Sequence, residues 1–145
     1  MGSRYLTSVR PVLLDTCAAI WLMNGDPISA DSRTSITAAQ AENLGVHVSP
    51  ISDWEIGTLV AKNRLQLTLS PDAWFNALLA LAGVRLAAMP PQVLIASTML
   101  PGRPPKDPVD RIIAATGRAF GYIIVTRDGD LMLYARAGHI EAVGC

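Results

Sequence analysis

Val12-Leu13-Leu14-Asp15-Thr16-Cys17-Ala18-Ala19-Ile20-Trp21-Leu22-Met23 decides how the chain is read. Three apolar residues in unbroken succession, with no polar alternation, are the pattern of a strand covered on both faces. An acid and a threonine follow. Next comes an apolar stretch of helical length, expected over 16–23, which breaks at Asn24-Gly25-Asp26-Pro27. Strand, acid, helix is the repeating unit of a parallel sheet.

The remainder repeats that unit. A second, Ala-rich helix is expected over 29–44, with Ser29 or Asp31 as its cap and Gly45 just past its end. Val46 to Ser49 reads as the second strand. Pro50 and Ser52 begin a helix running to about Ala61. Leu65, Leu67 and Leu69 alternate with polar residues, as in a short extended segment. Ser70-Pro71 then opens a helix over 71–82, Ser as cap and Pro in the first helical position. Val84 to Met89 is a third strand, closed by Pro90-Pro91, and a helix over 91–98 follows. Residues 101–108 hold four prolines and Gly102 and read as a loop. A helix over 108–120, a strand from Tyr122 to Thr126, a helix over 129–137 and a strand from Ile140 to Val143 complete the chain. The alternation predicts an α/β fold of three layers, a central parallel sheet of about five strands between helices.

At 145 residues the chain is expected to be one domain, 1–145, with 1–10 a loose leader carrying Arg4 and Arg10. Half the residues are apolar and 17% are charged, which argues against disorder. Twelve basic residues balance twelve acidic ones. The surface as a whole is therefore no general attractor of nucleic acid. A nuclease remains open, because bound cations add positive charge where phosphate goes. Cys17 and Cys145 form neither a disulfide framework nor a zinc motif. No secretion signal and no run of membrane-spanning length is legible, so a reducing cytoplasm is expected.

The acids are few, and four sit just past apolar runs or at the head of one. Asp15 follows the first strand, Glu55 lies soon after the second, Asp110 opens Ile112-Ile113-Ala114-Ala115, and Asp128 follows Ile123-Ile124-Val125-Thr126. Each has an ordinary explanation as a helix cap. Ser52-Asp53-Trp54-Glu55 fits a capping box, Asp107-Pro108-Val109-Asp110 fits an Asp cap with Pro at N1, and Asp128 can cap the helix after it. Asp15 fits least easily, since it ends a buried strand with no basic neighbour in sequence, and an unpaired buried carboxylate is costly. Ligand sites in parallel sheets form outside the carboxyl ends of the strands. Carboxylates gathered there repel one another unless a hard divalent cation such as Mg²⁺ or Mn²⁺ relieves them. The pattern points to a metal-dependent hydrolase acting on a phosphodiester.

At these residues the chain resembles the PIN-domain ribonucleases, and among them the toxins of bacterial VapBC-type toxin–antitoxin pairs. The matching segments are Leu13-Leu14-Asp15-Thr16, Ile51-Ser52-Asp53-Trp54-Glu55-Ile56-Gly57, Asp107-Pro108-Val109-Asp110-Arg111-Ile112-Ile113-Ala114-Ala115 and Val125-Thr126-Arg127-Asp128. The resemblance implies an endoribonuclease that cuts single-stranded regions of tRNA or rRNA and so inhibits translation. It implies Asp15, Glu55, Asp110 and Asp128 as catalytic, metal-holding acids for Mg²⁺ or Mn²⁺, with Asp130 as a second candidate for the fourth position. Thr16 and Thr126 match hydroxyls that hydrogen-bond carboxylates. Asp107 matches an extra acid that caps the helix, binds a second metal through water, or does both. Arg111 and Arg127 flank the site as candidates for RNA contact. The resemblance also implies a homodimer and a cognate antitoxin, whose groove Trp21, Met23, Trp54 and Trp74 are expected to line. His47 and His139 have no catalytic partner. Haloacid-dehalogenase-like phosphatases need an acid where Cys17 stands, and receiver domains need a late Lys that is absent after Lys106. The rival that survives is a catalytically inert PIN-like module that binds RNA or protein.

Overall fold

A computed structural model of the chain describes residues 9–145, so residues 1–8 of the expected leader lie outside the described residues. The elements in order are β1 (Val12–Leu14), α1 (Thr16–Asn24), α2 (Ala30–Ala41), β2 (Val46–Val48), α3 (Pro50–Ala61), α4 (Pro71–Leu79), β3 (Val84–Leu86), α5 (Pro91–Ser97), α6 (Pro108–Phe120), β4 (Ile123–Thr126), α7 (Gly129–Arg136) and β5 (Glu141–Gly144). All strand pairs are parallel, in the order β3-β2-β1-β4-β5. The three-layer α/β/α architecture expected from the alternation is the observed one.

The strands are short because both faces are sealed within three or four residues. Val12 and Leu14 point into one core with Val46, Val48, Ile36, Ile56, Trp74 and Leu78. Leu13 points the other way, into a second core with Val109, Ile113, Ile124, Leu131 and Tyr134. The period-two alternation of strand side chains thus divides one apolar run between two helix layers. Gly117 lets α6 approach β4 closely: a Cβ there would lie 2.8 Å from Ile124 Cδ1.

Several expected boundaries shift. The second helix ends at Ala41 rather than 44, and the fourth at Leu79 rather than 82. β3 stops at Leu86 rather than Met89, its last pairing made by the Ala87 N–H to Val48 O at 2.8 Å. Residues 65–69 form no strand; Leu65 and Leu67 pack on the first core without a ladder. Burial, not pairing, explains their alternation. Among the described residues no helix is long and apolar enough to cross a membrane.

The order of the sheet decides where a site can form. The chain steps from β1 to β2 to β3 in one direction, then crosses back to place β4 on the other side of β1. At that reversal the connections leave the strand ends in opposite directions and open a crevice beyond the carboxyl ends of β1 and β4.

Candidate active site

Asp15 stands at that reversal. Its backbone N–H donates to Val125 O at 3.1 Å and extends the β1–β4 ladder by one residue. Its side chain is nearly sealed, at 5% exposure. Oδ1 accepts from the Ala18 N–H at 2.8 Å, so Asp15 does cap α1. Oδ2 accepts from the Thr126 hydroxyl. That hydroxyl in turn accepts the Asp128 N–H at 2.9 Å. One threonine therefore ties the first acid to the backbone of the fourth. Burial pushes the Asp15 carboxyl above its ordinary range, the two hydrogen bonds pull it back, and the charges of Asp128 and Glu55 push it up again.

Glu55 comes to the site from α3, and here the capping expectation is overturned. The N-cap of α3 is Ser49, whose hydroxyl accepts from the Ile51 N–H at 3.1 Å, with Pro50 at N1. Ser52 is already inside the helix, wholly buried, and accepts a hydrogen bond from the Thr16 hydroxyl at 3.0 Å. Glu55 lies in the second turn and satisfies no helix end. Thr16, expected to hold a carboxylate, instead joins α1 to α3 through Ser52. The signal for the true cap was the dipeptide Ser49-Pro50, the same Ser-Pro pattern that opens α4 at Ser70-Pro71.

Asp110 and Asp107 behave as their spacing predicts. Asp107 caps α6, its Oδ2 accepting from the Asp110 N–H at 3.0 Å. Asp110 is partly buried, and burial raises its pKa to about 7, helped by the charges of Asp128, Asp107, Asp15 and Glu55. Asp128 caps α7 through the Leu131 N–H at 2.9 Å, and its charge acts on both Asp15 and Asp110. Asp130 faces a separate cleft beside Arg103, Lys106 and Leu133. Cys17 stands at the rim: burial, then the charges of Asp15, Glu55 and Asp110, push its thiol up to about 11.

Among the described residues no basic side chain pairs with these acids. Among the described residues the only ion pair is Arg10 with Glu141, 2.8 Å apart at the opposite edge of the sheet. The two arginines expected near the site are engaged. Arg111 Nε donates to Pro105 O at 2.7 Å. Arg127 Nε donates to Cys145 O at 2.8 Å, with its guanidinium 3.8 Å above the Trp21 ring. Oxygen-only, uncompensated donors of this kind suit a hard divalent cation. Among the described residues no three His, Cys, Asp or Glu side chains stand close enough to grip an ion as they lie. The acids are gathered to the range at which their charges act on one another, short of coordination distance.

The aromatic residues proposed for a groove divide. Trp74 is 4% exposed and belongs to the first core, so it lines no groove. Met23 packs partly buried against that core. Trp21 is half-buried beneath Arg127. Trp54, on α3 one residue before Glu55, is 61% exposed.

Comparison with known proteins places this geometry among relatives. The family model described as PIN domain matches residues 12–137. The chain is 32% identical over 117 residues to Ribonuclease VapC22 of Mycobacterium tuberculosis (strain ATCC 25618 / H37Rv), across 81% of this chain and 86% of that one. In fold it is similar to the crystal structure of VapBC2 from Rickettsia felis bound to a DNA fragment from their promoter. That match has a TM-score of 0.64 at 16% identity and covers 92% of this chain and 98% of the other.

Proposed function

The chain belongs to the PIN-domain family, and from that membership we propose that it is a Mg²⁺- or Mn²⁺-dependent endoribonuclease, the toxin of a toxin–antitoxin pair. The observation that carries the reading is the set of four carboxylates from β1, α3, α6 and the β4–α7 junction. They act on one another across the crevice, and among the described residues none has a cationic partner. Asp15, Glu55, Asp110 and Asp128 would hold the metal. When bound, the cation supplies Lewis acidity, making a water nucleophilic at neutral pH and offsetting charge on the phosphodiester. Thr126 keeps one oxygen of Asp15 oriented, as an outer partner of a metal ligand does. Asp107 holds the first turn of α6 and so the backbone of Asp110. The substrate is a single-stranded region of tRNA or rRNA, and its loss inhibits translation. The partner is an antitoxin, supported by the similarity to a toxin–antitoxin structure. A single domain, a homodimer and a cytoplasmic location complete the proposal.

Purified protein incubated with total bacterial RNA tests it. We expect discrete fragments with Mn²⁺ or Mg²⁺, none with EDTA, and a loss of at least about a hundredfold in Asp15→Asn, in keeping with the loss of a metal-site group. Equal cleavage by wild type and variant would remove the four acids from the mechanism. The distance that still separates the acids favours one second reading, an inert module of the same fold. A folded wild type that cuts no RNA would establish it.

A further inference from the structure

A cleft of about 440 Å³ opens between the 101–108 loop and α7, lined among others by Arg103, Pro104, Lys106, Asp130, Leu133 and Tyr134. We propose that this cleft is a substrate subsite that receives the single-stranded RNA next to the scissile phosphate. Its apolar wall takes a base, and Arg103 and Lys106 hold the phosphate. The inference rests on the endoribonuclease reading and assigns where its substrate lies.

Three observations carry it. First, a metal among the acids offsets charge only at the scissile phosphate, so the neighbouring phosphates call for protein cations. Arg111 and Arg127 each give Nε to a backbone carbonyl, and Arg127 also stacks on Trp21. Arg10 is paired with Glu141, and Arg118 donates to His139 O at 2.6 Å, both at the amino ends of the strands. Arg103 and Lys106 are exposed, and among the described residues neither pairs with a carboxylate.

Second, the cleft is lined by residues next in the chain to the acids. Lys106 precedes Asp107, the cap of the helix that carries Asp110. Asp130 lies in the first turn of α7, which Asp128 caps. The proposal runs the strand from the acids past the starts of α6 and α7 into the cleft.

Third, the cleft is built before any ligand arrives. Prolines 101, 104, 105 and 108 restrict the loop backbone. The Tyr134 hydroxyl holds Pro101 O at 2.6 Å, and Arg111 holds Pro105 O at 2.7 Å. Leu133, 60% exposed, leaves apolar surface on the floor. An apolar wall with cations at its rim matches one nucleotide, and a rigid cleft loses little freedom on binding it.

Arg103→Glu with Lys106→Glu, and separately Leu133→Ser, test the assignment; all three side chains are exposed, so the variants fold. Affinity is read by fluorescence anisotropy of a labelled 2′-O-methyl uridine octamer with Ca²⁺ present. Cleavage of total RNA is measured alongside with Mn²⁺. The double charge variant is expected to weaken binding tenfold or more. It also flattens the slope of log K against log salt by about 1.4, two phosphates at about 0.7 each on a single strand. Leu133→Ser is expected to weaken binding several-fold with the slope unchanged. Wild-type cleavage with affinity, slope and cleavage unaltered in both variants would overturn the subsite and leave the endoribonuclease reading standing. A wild type that cuts no RNA would overturn both.

Discussion

Asp110 shows how a single carboxylate records the missing charge around it. Its folded pKa of about 7 lies well above the ordinary 3.8, because burial and four neighbouring carboxylates disfavour the anion. Between those two values the folded protein holds the proton more tightly than the unfolded chain does. Stability of the metal-free protein therefore falls as pH rises through that window and levels off above it. Asp110→Asn removes the charge. At pH 8 with EDTA it is expected to stabilise by on the order of 1–2 kcal/mol, a figure already reduced for solvent screening of a half-exposed group. At pH 4 the wild-type carboxyl is mostly protonated and the difference is expected to vanish. Denaturant melts of both proteins at both pH values check this; a gain of equal size at the two would place its origin in packing rather than charge.

The second turn of α3 is where an element decides the meaning of a residue. If Glu55 completed a capping box, removing its charge would fray the helix by about 0.5–2 kcal/mol. With Ser49 as the cap, Glu55→Gln is expected to change metal-free stability by less than about 0.5 kcal/mol, while Ser49→Ala costs about 1 kcal/mol. Thermal melts of the two variants distinguish the assignments, and a marked loss in Glu55→Gln would restore the capping box. The error has a physical source. Ser52-x-x-Glu55 and Ser49-Pro50 are both legitimate starts three residues apart, and only the end of β2 at Val48 chooses between them. Where local chemistry had one solution, as at Ser70-Pro71 and Asp107-Pro108, the expected cap is the observed one. The β1 and β4 runs were legible because strands buried on both faces are continuously apolar. β3 was overextended because its apolar run continues past the last rung of the ladder. The ties of Arg111 to Pro105 O and of Arg127 to Cys145 O were not legible, because a loop or terminal carbonyl carries no sequence signature.

At the scale of the whole molecule, the sheet order turns scattered acids into a site and leaves one aromatic beside it. Trp54 is 61% exposed on the helix that carries Glu55, whereas Trp74 sits in the core. Trp74→Ala is expected to cost about 3–5 kcal/mol. Trp54→Ala is expected to leave the melting temperature unchanged and weaken binding of the proposed antitoxin, read by calorimetry; undiminished affinity would remove Trp54 from that interface. The four acids come from separate parts of the chain, joined at the crevice by little more than Thr126 and the Thr16–Ser52 contact. A cation held by all of them, as proposed, would tie β1, α3, α6 and β4 together and bind only the folded arrangement. Its effect must appear in global stability, by about 2.7 kcal/mol at a hundred times Kd. For a chain of this length that is about 5–10 °C in melting temperature. Mn²⁺ is expected to raise the wild-type midpoint by this amount, reversibly with EDTA, and Asp15→Asn to lose most of the rise, since Asp15 occupies the centre of the sheet edge. A wild-type midpoint that ignores Mn²⁺ at millimolar concentration would mean that the acids never close on an ion, and the fold would then be carrying the family's carboxylates without the family's chemistry.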